Sequence, residues 1–143
     1  MSFQTLNPAG VQALLAQDPE YVYLDVRSVQ EFEQGHVPGS FNIPLLFMTP
    51  AGMQPNPGFL AAVQRRFAKA QKLVLGCKAG GRSERACMLL AGQGYTTLVN
   101  MAGGFHGATD MSGSVLEPGW VACGFETSKS AQPGHSWKEL AAG

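Results

Sequence analysis

The sequence predicts an α/β domain with a mainly parallel central sheet and helices on both faces. Three observations predict it. Short β-rich runs alternate with stretches of helical periodicity, strand then helix, along most of the chain. The run Leu73-Val74-Leu75 is apolar on successive residues and too short for a helix, so it reads as a buried strand. The length, 143 residues with 45% apolar, suits one domain with one core and excludes a disordered chain.

Asn7 before Pro8 is a capping side chain followed by a proline in the first turn, and Val11, Leu14 and Leu15 give that helix an apolar face to about Gln17. Tyr21–Val26 is rich in β-formers and reads as a strand. Ser28-Val29-Gln30-Glu31 is a capping box opening a short helix that Gly35 ends. Phe41-Asn42-Ile43 is a brief strand stopped by Pro44, and Leu46–Pro55 holds turn and loop residues. Asn56-Pro57 repeats the cap-plus-proline start; Phe59, Leu60, Val63 and Phe67 then recur at helical spacing to about Ala70. After the strand Leu73–Leu75 come a loop from Cys77 to Arg82, a helix over Ser83–Ala91 ending at Gly92, and a strand over Thr96–Val99. Gly103-Gly104 breaks the chain. Beyond Gly107 it is polar and irregular, Ser128–Gly134 reads as flexible, and His135–Ala142 as a short helix or tail.

Charge and composition narrow the function. Ten basic and ten acidic residues cancel, which argues against a duplex nucleic-acid binder, whose affinity comes mostly from cationic side chains. No apolar run reaches the ~18 residues of a membrane span, and the N-terminus lacks the basic start and apolar stretch of a secretory signal. A soluble, cytoplasmic protein is expected. Cys77, Cys87 and Cys123 have no metal-ligand spacing, and an odd count leaves at least one thiol free. Neither a metal nor another cofactor is expected.

The informative segment is Gly76-Cys77-Lys78-Ala79-Gly80-Gly81-Arg82-Ser83. It places a cysteine at the carboxyl end of a buried strand, the edge where open α/β sheets bind ligands. Two glycines let backbone N–H groups converge, and the following helix N-terminus favours an anion. Lys78, Arg82 and Arg85 put three positive charges near Cys77, of which Glu84 offsets one. Helix N-termini and cations lower a cysteine's pKa from its ordinary ~8.5, so the expectation is an activated thiolate in an anion cradle, suited to attack on an anionic substrate. Alone, such a cysteine is ordinarily a small core residue; the combination singles it out. Loop length then separates two chemistries. Cys77 to Arg82 is C-x4-R, one residue shorter than the C-x5-R of protein tyrosine phosphatases, and the shorter loop closes on a smaller target than a tetrahedral phosphate, such as one sulfur added to the cysteine.

From about Asn7 to Phe125 the sequence resembles the rhodanese family, and within it the single-domain thiosulfate sulfurtransferases. The resemblance rests on Leu24-Asp25-Val26-Arg27, on Glu31-Phe32 with Gly35-His36-Val37-Pro38-Gly39-Ser40, on Asn42-Ile43-Pro44, on Cys77–Ser83 and on Gly103-Gly104. One departure lies beyond them: many members carry a tryptophan soon after the glycine pair and then Gly-Leu-Pro, whereas here Phe105 follows Gly104, Trp120 comes later, and Gly124-Phe125-Glu126 stands last. The resemblance implies a rhodanese-like domain over residues 1–127, with 128–143 a flexible tail or short terminal helix.

It also implies a chemistry. Cys77 would be the nucleophile that takes the outer sulfur of thiosulfate as a persulfide and passes it to a thiophilic acceptor: cyanide, a thiol or a protein. The loop Lys78, Ala79, Gly80, Gly81, Arg82 and Ser83 would hold the persulfide by its amides. Lys78 and Arg82 would attract the donor and the leaving sulfite. Asp25 and Arg27 would support the loop, and His36 would be structural. Cys87 reads as core packing. Two rival functions stay open: a persulfide carrier or binding module serving a protein partner, and a cysteine-dependent phosphatase or arsenate reductase.

Overall fold

The computed structural model describes residues 3–142. In chain order the elements are β1 (Gln4–Leu6), α1 (Pro8–Gln17), β2 (Tyr21–Asp25), α2 (Val29–Gln34), β3 (Phe41–Asn42), β4 (Leu46–Thr49) and β5 (Gly52–Pro55). Then come α3 (Phe59–Arg66), β6 (Lys72–Gly76), α4 (Gly81–Gly92), β7 (Leu98–Met101), β8 (Ala108–Thr109), β9 (Val115–Glu117) and α5 (Trp137–Ala142). Five strands form the central sheet in the order β1-β7-β6-β2-β3, and every neighbouring pair is parallel. The expected α/β architecture with a parallel sheet is the one observed.

Alternation along the strands divides the core between the two faces. Leu73 and Leu75 of β6, with Leu24 of β2, pack among Phe59, Val63, Ala86 and Leu90 from α3 and α4. Val74, Tyr23 and Val99 point the other way, onto Val11 of α1, Phe105 and Trp120. A strand covered on both sides needs apolar residues at every position, which is why β6 reads as an unbroken run.

Local signals act as expected at two helix starts. Asn7 Oδ1 accepts from Gly10 N at 2.9 Å, and the Ser28–Glu31 capping box is complete in both directions. At α3 the outcome differs. Asn56 Oδ1 accepts from Gly58 N at 2.9 Å, but Gly58 is the cap and the helix begins at Phe59. The Asn56 amide also donates to Pro44 O at 2.8 Å, so this residue ties the helix start to the β3 exit instead of capping it. The helix stops at Arg66 rather than near Ala70, because Phe67 turns extended to bury its ring.

Further corrections concern three strand assignments and one helix start. β1 was not expected: its residues are largely exposed, and what places them is the backbone ladder with β7, Gln4 opposite Val99 through Leu6 opposite Met101. Leu46–Pro55, read as loop, is the antiparallel hairpin β4–β5, with Met48 opposite Met53 and Thr49 Oγ1 closing the turn on Gly52 O at 2.7 Å. β7 runs to Met101, two residues past the expected end, and α4 starts at Gly81, two residues before Ser83.

The polar C-terminal segment finds fixed partners on the domain. His36 and Ser128 exchange two backbone hydrogen bonds of 2.8 Å, and Asn42 N donates to His135 O at 2.9 Å along the open edge of β3. The His135 ring stacks on Phe41 at 3.6 Å, and α5 buries Leu140 in the core. A short terminal helix, one of the two expectations for residues 135–142, is present as α5, and the segment's backbone partners lie roughly ninety residues upstream, where they leave no local trace.

Candidate active site

The sheet's carboxyl edge carries the cysteine loop. Cys77 follows β6 directly and is 2% exposed. Its Sγ accepts from Gly80 N at 3.0 Å. Gly80 is the N-cap of α4 in the left-handed region, φ +115°, and that conformation points its N–H back at the sulfur. Ser83 Oγ lies 3.4 Å from Sγ, but its single proton has a nearer acceptor in Asn100 Oδ1 at 2.6 Å, so Gly80 is the principal donor to the sulfur.

The glycine pair holds this loop from behind. Phe105 N donates to Cys77 O at 2.8 Å and His106 N to Lys78 O at 2.9 Å. In a trans peptide the carbonyl and the next N–H point in opposite directions. Tethering those two carbonyls therefore turns the N–H groups of Lys78 and Ala79 to the other side of the loop. Gly104 makes the close approach possible: a Cβ there would sit 2.4 Å from Cys77 O and 2.6 Å from Lys78 C and O.

The loop's cations are not equivalent. Lys78 and Arg85 are exposed. Arg82 instead donates from Nη1 to Glu31 Oε1 at 2.8 Å and from Nη2 to Oε2 at 3.0 Å, both side chains being 16% exposed. Burial pushes the Glu31 carboxyl up, but the bonds and charge of Arg82, with the Ser28 hydroxyl and N–H, outweigh it and hold the group at about 2 instead of 4.5. A carboxyl lowered on folding stabilises the protein above its unfolded value, and the stabilisation is lost as pH falls. The stability difference between wild type and Glu31→Gln, read from urea midpoints, is therefore expected to shrink from pH 4.5 and vanish near pH 2. A difference constant across that window would disprove the ion pair.

The remaining residues singled out by sequence lie behind the loop. Arg27 and Asp25 form a buried ion pair, Nη2 to Oδ2 at 2.7 Å, and Arg27 Nη2 also reaches Gly35 O at 2.7 Å. The guanidinium carbon lies 4.4 Å from the centre of the Phe105 ring. Their hydrogen bonds go to one another and to the backbone, not to Cys77. His36 is buried and stacked on Phe32, with its ring nitrogens 2.8 Å from Phe32 O and 3.2 Å from Ser130 O. Burial, aided by Glu84 and Cys77, pushes the Cys87 thiol up to about 12, while Cys123 is exposed. Among the described residues no group of three or more His, Cys, Asp or Glu side chains could hold a metal ion.

Three residues of the site escaped the sequence reading. Glu31 reads locally as part of a helix cap, and its partner Arg82 is 51 positions away. Asn100 is a buried polar residue within an apolar strand, a signal visible only once Ser83 lies beside it. His106 sits on the loop's backbone, where burial and then the charges of Arg27 and Lys78 hold its imidazole below the ordinary 6.5.

A parallel sheet whose carboxyl edge presents a cysteine under a helix N-terminus places the molecule among the α/β domains organised around a cysteine loop. The family model of the rhodanese-like domain matches residues 7–110, and the chain belongs to that family. Rhodanese-like domain-containing protein 17 of Arabidopsis thaliana is 43% identical over 103 residues, 71% of this chain and 65% of that protein. Thiosulfate sulfurtransferase 16, chloroplastic, of the same plant is 35% identical over 108 residues, 73% of this chain and 90% of that one. The chain thus spans just under two thirds of the first relative's length and nine tenths of the second's. The crystal structure of Rv0390 from M. tuberculosis shares the fold, with a TM-score of 0.76 at 24% identity over 90% of this chain and all of that one. No helix among the described residues is long and apolar enough to cross a membrane.

Proposed function

We propose that the protein is a sulfurtransferase that moves the outer sulfur of thiosulfate through a persulfide on Cys77 to a thiophilic acceptor. The observation that carries this reading is the Gly80 N–H aimed at Cys77 Sγ at 3.0 Å, in a C-x4-R loop that carries the exposed Lys78. In the first half-reaction the Cys77 thiolate attacks the outer sulfur. A sulfur–sulfur bond forms to Cys77, the bond between the outer sulfur and the sulfonate breaks, and sulfite leaves with the electron pair. The inward N–H donors stabilise the anionic terminal sulfur, and Lys78 draws in the donor. In the second half-reaction cyanide, a thiol or a protein acceptor takes the sulfur and returns the thiolate. None of these steps requires a bound metal or organic cofactor. A cytoplasmic setting belongs to the same proposal.

Weighing the intact protein after incubation with thiosulfate tests it. Wild type should gain one sulfur atom, removable by cyanide or a reductant, and Cys77→Ser should gain none. A wild-type mass unchanged by thiosulfate would overturn the reading.

A further inference from the structure

We infer that Glu31 is a specificity-determining residue, one whose carboxylate cancels the charge of Arg82 and thereby limits how strongly the Cys77 site draws anionic reagents. The inference deepens the proposed function and rests on it for the identity of the donor, but the charge arrangement stands on its own geometry. The sequence puts Lys78, Arg82 and Arg85 beside Cys77 against Glu84 alone. The fold adds a second carboxylate from α2, bonded to both terminal nitrogens of Arg82. The Ser28 hydroxyl and N–H also donate to Glu31 Oε1, at 2.9 and 3.1 Å, so the carboxylate is held in place by its own helix and cannot drift into solvent. Two guanidinium N–H donors of the residue that closes the cysteine loop are thereby occupied. Exposed Lys78 and Arg85 are left as the cations open to an incoming donor.

Removing the carboxylate acts in one direction by two routes. It removes a negative charge from beside Arg82, and it frees the Arg82 donors. Glutamine at this position preserves the capping box, since its amide oxygen still accepts from Ser28. Glu31→Gln is therefore expected to quicken reaction with anions and leave reaction with neutral reagents nearly unchanged. A residue that merely positioned Arg82 for the donor would have the opposite effect, because its loss would disorder the guanidinium.

Alkylation of Cys77 separates these possibilities without assuming sulfur transfer. The ratio of its rate with iodoacetate to that with iodoacetamide cancels changes in thiol reactivity, and peptide masses distinguish Cys77 from the exposed Cys123. At low ionic strength Glu31→Gln is expected to raise this ratio about three- to tenfold, with the gain collapsing in about 1 M salt. Arg82→Gln should lower it by a similar factor, and the double variant should return to within about twofold of wild type. A ratio unchanged or lowered in Glu31→Gln, or a double variant as low as Arg82→Gln, overturns the inference. Should Glu31→Gln fail to fold, the double variant against Arg82→Gln decides it: a higher ratio supports screening and an equal one refutes it. If the ratios behave as expected while wild type takes no sulfur from thiosulfate, the charge assignment holds and the proposed reaction falls.

Discussion

Gly104→Ala is expected to cut sulfur uptake by Cys77 about a hundredfold or more while leaving a folded protein. The new methyl would lie 2.4 Å from Cys77 O and 2.6 Å from Lys78 C and O. These are backbone atoms, so no side-chain rotation relieves the contact. One of the two segments must move, and the Phe105 and His106 hydrogen bonds that orient the Cys77 and Lys78 peptides move with it. A displacement near 1 Å at a reacting group costs on the order of a hundredfold in rate, while overpacking of this kind costs about 1–3 kcal/mol in stability. Gly113→Ala supplies the control. Gly113 also has positive φ, +89°, but nothing lies within 4 Å of its would-be Cβ. It therefore carries the backbone penalty without the clash, and its sulfur uptake should match wild type. Mass measurements over time after thiosulfate addition read both variants; wild-type loading in Gly104→Ala would mean the glycine pair does not hold the loop.

Arg27→Leu should have the largest effect on stability, a loss of about 3–5 kcal/mol. That is a large part of the roughly 5–15 kcal/mol that holds a typical domain folded. Arg27 is 1% exposed and bonds Asp25 through Nε at 3.0 and 3.1 Å and through Nη2 at 2.7 Å. Leucine would leave the Asp25 carboxylate buried at 2% exposure without its counter-charge, and Gly35 O without a donor. The comparison with Asp25→Asn/Arg27→Leu isolates the cause. If the uncompensated charge dominates, the double variant recovers part of the loss, since an asparagine oxygen can still accept from the Arg27-position N–H that Asp25 Oδ1 now binds at 2.9 Å. Urea midpoints with unchanged slopes measure it. A double variant no more stable than Arg27→Leu would instead point to packing on Phe105 lost in both.

These two positions differ in how they were legible. Arg27 stands in a motif, and its burial beside Asp25 is a short-range matter: the residues are two apart on one strand end. The reason Gly104 must be glycine is invisible locally, because the obstructing atoms belong to a loop some twenty-five residues earlier. The same division runs through the fold. β2 and β6 were legible because both-face burial demands apolar runs, and α2 because its cap is closed within four residues. β1 and the β4–β5 hairpin were not, since backbone ladders place them, β1 and β5 are largely exposed, and β4 is only partly buried. The site divides likewise: Cys77 and its loop are contiguous, while Glu31 and Asn100 join it only across the fold.

The chain's own order of residues determined the alternation of strands and helices, the caps of α1 and α2, and a glycine-bearing cysteine loop between a buried strand and a helix. Each depends on neighbours a few positions apart, where spacing dictates contact. Tertiary structure alone decided which charges at that loop are free. Lys78 stays open to solvent, while Arg82 is taken up by a carboxylate on another helix, and a charge count along the sequence cannot separate them. Coulomb and hydrogen-bond energies depend on distances through space, and those are set only when the two sheet-bound helices are brought together.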